Sequence, residues 1–249
     1  MAELELVPGW FACADRYLWH GPTKTVVLAD VHLGYEVELA KRGNFFVSVN
    51  MPALRPIWNR MAQRGPRHVI VAGDLFDAKT PDAATIGHAL ELFGALPRGC
   101  AVTVTPGNHD PALRNMAEIF DEHEVHVSYE ARVEDWVVAH GHDLSRCDFT
   151  DAAGVIVGHQ HPAVRLGDRV QTAKMMCFAV CEVMMGGRAV KLINVPAFSP
   201  LPLGTSLLNG RQWMLDCEAP AAGAVRIGGI VKTDVLDFGL LSGLETNRA

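Results

Sequence analysis

The sequence predicts an α/β fold in which two mixed β-sheets pack face to face and are flanked by helices. Three observations predict it. Up to about residue 128, short β-branched runs alternate with helical stretches in a β-α-β-α-β order. From Val133 onward, closely spaced strands with Gly-containing breaks replace that order. Of 249 residues, 49% are apolar and 20% charged, enough to bury a core and too apolar for a disordered chain.

Residues 1 to about 24 read as a hairpin-like start, punctuated by Pro8-Gly9 and Gly21-Pro22. The strand at 25–29 then runs into Asp30-Val31-His32. A helix is expected over 51–64, with Asn50 as its N-cap and Pro52 in its first turn. The strand at 68–72 runs into Gly73-Asp74. A second helix follows through Phe93, with Thr80 as cap, Pro81 in the first helical position and Asp82 near the positive helix end. The strand at 101–105 leads through Pro106 into Gly107-Asn108-His109-Asp110. A third helix is expected from Asp110-Pro111, with Leu113, Met116, Ala117 and Phe120 on one face.

Later strands are expected at 133–139, 154–158, 163–166, 176–185, 188–195 and 204–208, a largely antiparallel second half. The first of these ends on His140-Gly141-His142 and the second on Gly158-His159-Gln160-His161. With no internal repeat and no linker rich in Pro, Gly or Ser, residues 1–249 read as one domain. The stretch from about 218 reads as a peripheral strand around Gly228-Gly229-Ile230-Val231, followed by a frayed end.

No apolar run reaches the roughly 18 residues of a membrane span. The start Met1-Ala2-Glu3-Leu4-Glu5-Leu6 carries acids where a signal peptide would carry basic residues, so a soluble cytoplasmic protein is expected. The six cysteines form no CxxC pair; Cys177 and Cys181, four apart on one strand face, read as small buried side chains in a reduced compartment. A net charge of -6 without a basic block argues against tight, sequence-independent binding to a nucleic-acid backbone. It leaves a phosphodiester substrate open, because divalent cations in a carboxylate-lined cleft would supply local positive charge.

Five strands thus end in residues of metal-ligand type. Placed past the carboxyl ends of strands, such residues converge in one crevice of an α/β sheet, which predicts a two-metal hydrolytic site. Of eleven histidines, six (32, 109, 140, 142, 159 and 161) fall inside these motifs, a concentration that a chain merely tolerating histidine would not show.

The ordered set Asp30-x-His32, Gly73-Asp74, Gly107-Asn108-His109-Asp110, His140 and Gly158-His159-x-His161 resembles the calcineurin-like metallophosphoesterases across residues 25 to 161. That resemblance implies a four-layer αββα sandwich. A narrower likeness is carried by Asp30-Val31-His32-Leu33-Gly34, Gly73-Asp74-Leu75-Phe76-Asp77, Gly158-His159-Gln160-His161-Pro162 and Val195-Pro196-Ala197-Phe198. These segments resemble small bacterial and archaeal phosphoesterases related to the SbcD-type repair nuclease, some of them named for association with a DNA ligase.

The resemblance implies that Asp30, His32 and His161 hold one divalent ion, that Asn108, His140 and His159 hold a second, and that Asp74 bridges them. Imidazole, carboxylate and amide donors suit Mn²⁺, Fe²⁺, Zn²⁺ or Ni²⁺ better than Ca²⁺, with Mn²⁺ expected first. Such ions would turn a shared water into hydroxide and grip the phosphoryl oxygens. His109 is the candidate general acid. Asp110 either orients His109 or caps the helix that follows it. His140, directly off its strand, is favoured over His142 as ligand, which leaves His142 to substrate phosphate or to a supporting role. Asp77 reaches the substrate side of the cleft or caps a turn, and Arg42, Arg114 and Arg146 default to solvated surface positions.

The expected activity is metal-dependent phosphodiester hydrolysis, nuclease-like and tied to DNA repair. The alternatives are a phosphomonoesterase acting on small esters and a non-catalytic scaffold of the same fold. Only about 50 residues follow Pro200, too few for the capping domain of the full-length repair nucleases. Single-stranded nucleic acid or a nucleotide-like diester is therefore the expected substrate, with no membrane partner and a homodimer left open.

Overall fold

In the computed structural model the described residues are 2–41, 43, 50–116, 120, 124–167, 172–201, 204–207 and 213–245. Seven strands form the first sheet, in sequence order: β1 (Leu4–Val7), β2 (Trp10–Cys13), β3 (Tyr17–His20), β4 (Thr25–Leu28), β5 (His68–Ala72), β6 (Ala101–Thr105) and β7 (Val125–Val127). β1 to β4 pair antiparallel, and β4 to β7 parallel. Leu28 stands opposite Val71, and Val71 opposite Val104, so β4, β5 and β6 end level.

The second sheet holds β8 (Ala131–Val133), β9 (Trp136–Ala139), β10 (Gly154–Val157), β11 (Pro162–Gly167), β12 (Thr172–Met185), β13 (Arg188–Asn194), β14 (Thr205–Ser206), β15 (Arg226–Val231) and β16 (Asp234–Leu240). Its order is β14-β11-β12-β13-β10-β9-β8, with β15 and β16 added against β12. Most pairs are antiparallel, but β11 pairs parallel with β14, and β10 pairs parallel with both β9 and β13, with Val157 opposite both Ala139 and Asn194. The ends that carry His140 and His159 are therefore level as well.

Apolar residues on both faces explain why the central strands read as unbroken hydrophobic runs. Val27 and Ile70 point inward and meet Val138, Ile156 and Ile193 of the other sheet, all buried. The alternate residues Val26, Leu28, Val69 and Val71 point outward. They are covered by Leu54, Trp58 and Met61 of α2 (Asn50–Gln63) and by Ala89, Leu92 and Phe93 of α3 (Ala83–Gly94). The short α1 (Tyr35–Lys41) buries no residue. The outer face of the second sheet packs under Leu144, Ala152, Leu215 and Val225 from connecting segments and Leu241 of α4 (Leu241–Glu245). No helix among the described residues is long and apolar enough to cross a membrane.

Several local expectations change. Asn50 does not cap α2 with its side chain; it is the first helical residue, and its amide donates to the carbonyl of His32 at 3.0 Å. The cap of α3 is Asp82 rather than Thr80, because the Asp82 carboxylate accepts the Thr85 N–H at 2.8 Å from extended backbone. After Asp110-Pro111 the described residues form a 3₁₀ turn, Leu113–Met116, whose Leu113 and Met116 are buried together with Phe120; Ala117 lies outside the described residues, as do Arg42 and the side chain of Arg114. Where a frayed end was expected after Val231, β16 pairs back on β15 and α4 follows.

Candidate metal centre

Asp30 follows β4, Asp74 follows β5, Asn108 and His109 follow β6, His140 follows β9, and His159 and His161 follow β10. Level parallel registers within each sheet, and face-to-face packing between them, bring these strand ends to one edge. The chain turns sharply as it leaves the strands. Asp30 (φ 58°), His32 (49°), Asp74 (49°), His159 (61°) and His161 (44°) all take left-handed backbone. Asp and His enter that region more readily than other non-glycine residues, and such strain gathers where function requires it.

The ligand-type atoms fall into groups whose members lie within 4.8 Å of one another: Asp30, His32 and His161; Asp74, His140 and His159. Asp30 is fully buried; its Oδ1 sits 3.1 Å from His161 Nε2, and its Oδ2 accepts the His159 N–H at 3.1 Å. Asp74 Oδ2 lies 3.8 Å from His32 Nε2 and 3.4 Å from His140 Nε2, between the two groups. Asn108 Oδ1 is 3.1 Å from His140 Nε2.

The donor chemistry fits cations. His140 Nδ1 is 3.0 Å from the carbonyl of Ala72, so that nitrogen carries a proton, and Nε2 faces two acceptor oxygens. His32 Nδ1 likewise bonds Asp77 Oδ1 at 2.8 Å, which turns its Nε2 lone pair toward His161 Nε2, 3.4 Å away. Facing acceptors repel unless a proton or a metal ion lies between them. Burial works against the charge of Asp30 and Asp74, yet His161 and His140 respectively lead in holding these carboxyls below the usual range. His140 is also opposed by burial, but Asp74 and Asp30 push it up to about 9. The site attracts positive charge, which imidazole protons supply here and divalent ions would supply better. For His159, burial and the neighbouring His140 lower the pKa to about 4, leaving it neutral and able to ligate.

Two glycines create the necessary room. A Cβ on Gly73, whose φ is 82°, would overlap the His140 ring, and one on Gly107 would overlap the Asp74 carboxylate. Each glycine belongs to one motif and clears space for a side chain of ligand type from another. Further out, the buried Asn50 amide accepts from Ser199 Oγ at 3.0 Å while holding the His32 carbonyl, and the Ser199 N–H bonds the Asp30 carbonyl at 3.1 Å.

Of the two competing histidines, His140 is the one grouped with Asp74 and His159. The His142 ring stands 5.1 Å from that of His140 and 5.9 Å from that of His159, and its buried Nδ1 has no hydrogen-bond partner among the described residues. Among the described residues, the Asp110 side chain bonds neither His109 nor the turn that follows it. Its carboxylate accepts the N–H groups of Gly107 at 2.6 Å, Leu75 at 2.8 Å and Phe76 at 3.4 Å, pinning the loop after β6 to the loop after β5. Burial raises its pKa to about 6.

Asp77 is the residue that orients His109. Its Oδ1 lies 3.1 Å from His109 Nδ1 and 2.8 Å from His32 Nδ1, so one oxygen serves both rings. The hydrogen bond to Asp77 raises the pKa of His109, a half-exposed ring. The spacing Gly73-Asp74-x-x-Asp77 was the available signal, and turn capping is an equally good reading of it in a bare sequence. Arg146 stacks on Tyr129 and pairs with Asp143, at the surface. A cleft of about 510 Å³ opens beside His109, with Asp77 and Asn108 on one wall and Glu38, Lys41, Lys79 and Thr80 on the other.

Residues 23–137 match the family model described as calcineurin-like phosphoesterase. No curated protein matches the chain. Among solved structures, the Pseudomonas putida nuclease MPE superposes with a TM-score of 0.63 at 21% identity, covering 94% of this chain and 98% of that one. A protein of unknown function from Aquifex aeolicus aligns over 55% of this chain and 78% of its own, at 14% identity and a TM-score of 0.37.

Proposed function

We propose that this chain, whose residues 23–137 match the calcineurin-like phosphoesterase model, is a metal-dependent hydrolase of phosphate esters that cleaves phosphodiester bonds at a pair of divalent transition-metal ions, in a nuclease-like reaction on single-stranded nucleic acid or a nucleotide-like diester. The observation that carries this reading is the position of Asp74 Oδ2 between two separate ligand groups, within 3.8 Å of a ring nitrogen of each. Asp30, His32 and His161 would hold one ion, Asn108, His140 and His159 the other, and Asp74 both. Bound there, the ions would activate water and neutralise phosphoryl charge. The donor set suits Mn²⁺, Fe²⁺, Zn²⁺ or Ni²⁺.

The protein's own groups supply the rest. His109, held by Asp77, faces the open cleft and donates its proton to the departing oxygen. A diester fits that cleft better than a small monoester, because about 510 Å³ leaves room for a leaving group of nucleoside size. The shared fold of a protein described as a nuclease agrees with this, and a role in repair of DNA is the cellular setting we propose.

The test is to load the protein with Mn²⁺ and compare a chromogenic diester, a chromogenic monoester and single-stranded oligonucleotides. Metal-dependent monoester turnover without diester turnover would overturn the reading in favour of a phosphomonoesterase. Failure to bind metal, with no turnover of any substrate, would leave a scaffold. Asp74→Asn should lose metal, whereas His109→Ala should keep metal and lose turnover.

A further inference from the structure

A second groove, of about 560 Å³, lies on the His161 flank of the site. Its origin is in the strand pairing. β15 pairs with β12 only as far as Gly229 opposite Cys177, and beyond that point Ile230–Lys232 diverge from Ala173–Met176. The β2–β3 turn and Ile57 of α2 close the other side. The groove adjoins the metal ligands through two short connections. Met176 is the register partner of Ala163, two residues beyond His161. Lys174 Nζ donates to the carbonyl of Gly204, and the next residue, Thr205, donates its N–H to the carbonyl of His161 at 2.7 Å.

The side chain that stands out in this groove is Arg16. It is partly buried on left-handed backbone (φ 67°), and its guanidinium has no hydrogen-bond or ion-pair partner among the described residues. The neighbouring acid, Asp15, is already held by Arg60 through bonds of 2.6 and 3.0 Å. The guanidinium still reaches solvent in the open groove, so its five N–H donors are free to take an anionic ligand. Lys174 and Lys232 line the same groove, so cations outnumber the one neutralised acid, on a chain whose net charge is -6. Ile57, Met175, Met176 and Ile230 add apolar surface between them, against which bases can lie without regard to sequence.

We infer that this groove holds the phosphate backbone of a polynucleotide strand beyond the scissile bond, with Arg16 as the anchoring cation. The inference rests on the phosphodiesterase reading and narrows its substrate to chains several nucleotides long. A single phosphate would occupy a small part of the space, and the three cations come from three separate elements, a turn, a strand and a hairpin. That spread matches an extended polyanion.

Binding by the full chain, read by fluorescence anisotropy in chelator with labelled oligothymidylates of four and twelve nucleotides, tests this without any turnover. The twelve-mer should bind more tightly than the four-mer. Arg16→Ala should weaken the twelve-mer about tenfold and reduce the slope of log affinity against log salt by about 0.7, the value for one phosphate contact on a single strand. Lys232→Ala, in an exposed turn, should act in the same direction and covers the case in which Arg16→Ala does not fold. Wild-type affinity and salt slope in both variants would overturn the inference. So would a loss confined to competition by inorganic phosphate, which would mean a site for free phosphate. A wild-type protein that hydrolyses a chromogenic diester yet shows no length dependence refutes the groove alone. One that hydrolyses no diester refutes the activity, while the anisotropy still reports on the groove.

Discussion

Asp77→Asn separates two duties that one oxygen performs. Asp77 Oδ1 is 2.8 Å from His32 Nδ1 and 3.1 Å from His109 Nδ1. Asparagine keeps an acceptor in place but removes the charge. Charge-assisted hydrogen bonds contribute about 1.5–3 kcal/mol against about 0.5–1.5 for neutral ones, so each ring loses about 1–1.5 kcal/mol. At His32, which is buried, the full range applies and predicts roughly 5–13-fold weaker binding of the ion that His32 is proposed to hold. His109 is 45% exposed, so solvent screening keeps its loss near the lower end, about fivefold in turnover at saturating metal. Because Asp77 raises the pKa of His109, the basic limb of the pH–rate profile should move to lower pH in the variant. Isothermal titration with Mn²⁺ reads the first effect, and diester kinetics across pH read the second. In a His109→Ala background, Asp77→Asn should still weaken metal but leave saturated turnover unchanged. A variant with wild-type metal affinity and an unmoved basic limb would refute the shared-oxygen reasoning.

Three further outcomes follow from the packing. Gly73→Ala places a methyl group in the His140 ring and strains a left-handed backbone, so Mn²⁺ binding measured by titration should fall while far-UV circular dichroism stays native in shape. Asp110→Ala leaves two well-made N–H bonds without their acceptor. After allowance for the burial that raises the pKa of Asp110, a loss of about 3 kcal/mol is expected; this is roughly 6–12 °C in Tm, with the basic limb of the pH–rate profile unmoved. His140→Ala should lose stoichiometric metal by elemental analysis, whereas His142→Ala should retain it; the reverse pattern would exchange their roles.

The residues of ligand type that sit on strand ends were legible in the sequence, because β-branched runs have a visible period and each run stops at such a residue. The two glycines were legible as punctuation, though not as clearance for His140 and Asp74, since the clash is with residues at a distance in the chain. Asp110 and Asp77 were misread or left undecided for one reason: a carboxylate near a turn offers local caps to the eye, while its actual partners, Leu75 and the rings of His32 and His109, are brought near only by tertiary structure. The cap of α3 moved by two residues because Thr80, Pro81 and Asp82 all carry start signals and only backbone geometry chooses among them. Arg16 gave no signal at all, as its environment is built from a turn, α2, β12 and the β15–β16 hairpin.

The five residues of the site that take left-handed backbone bear on how this chain can change over generations. Each holds a conformation that costs an L-residue about 1–2 kcal/mol and glycine almost nothing. Glycine at Asp30, His32, Asp74, His159 or His161 would therefore relieve strain, and a selection for heat resistance alone would reward it. If these side chains hold the metal ions as proposed, only selection for turnover keeps carboxylates and imidazoles there. In a lineage released from that pressure, decay should begin at these five positions and proceed by stabilising steps, leaving a sturdier protein with an empty edge.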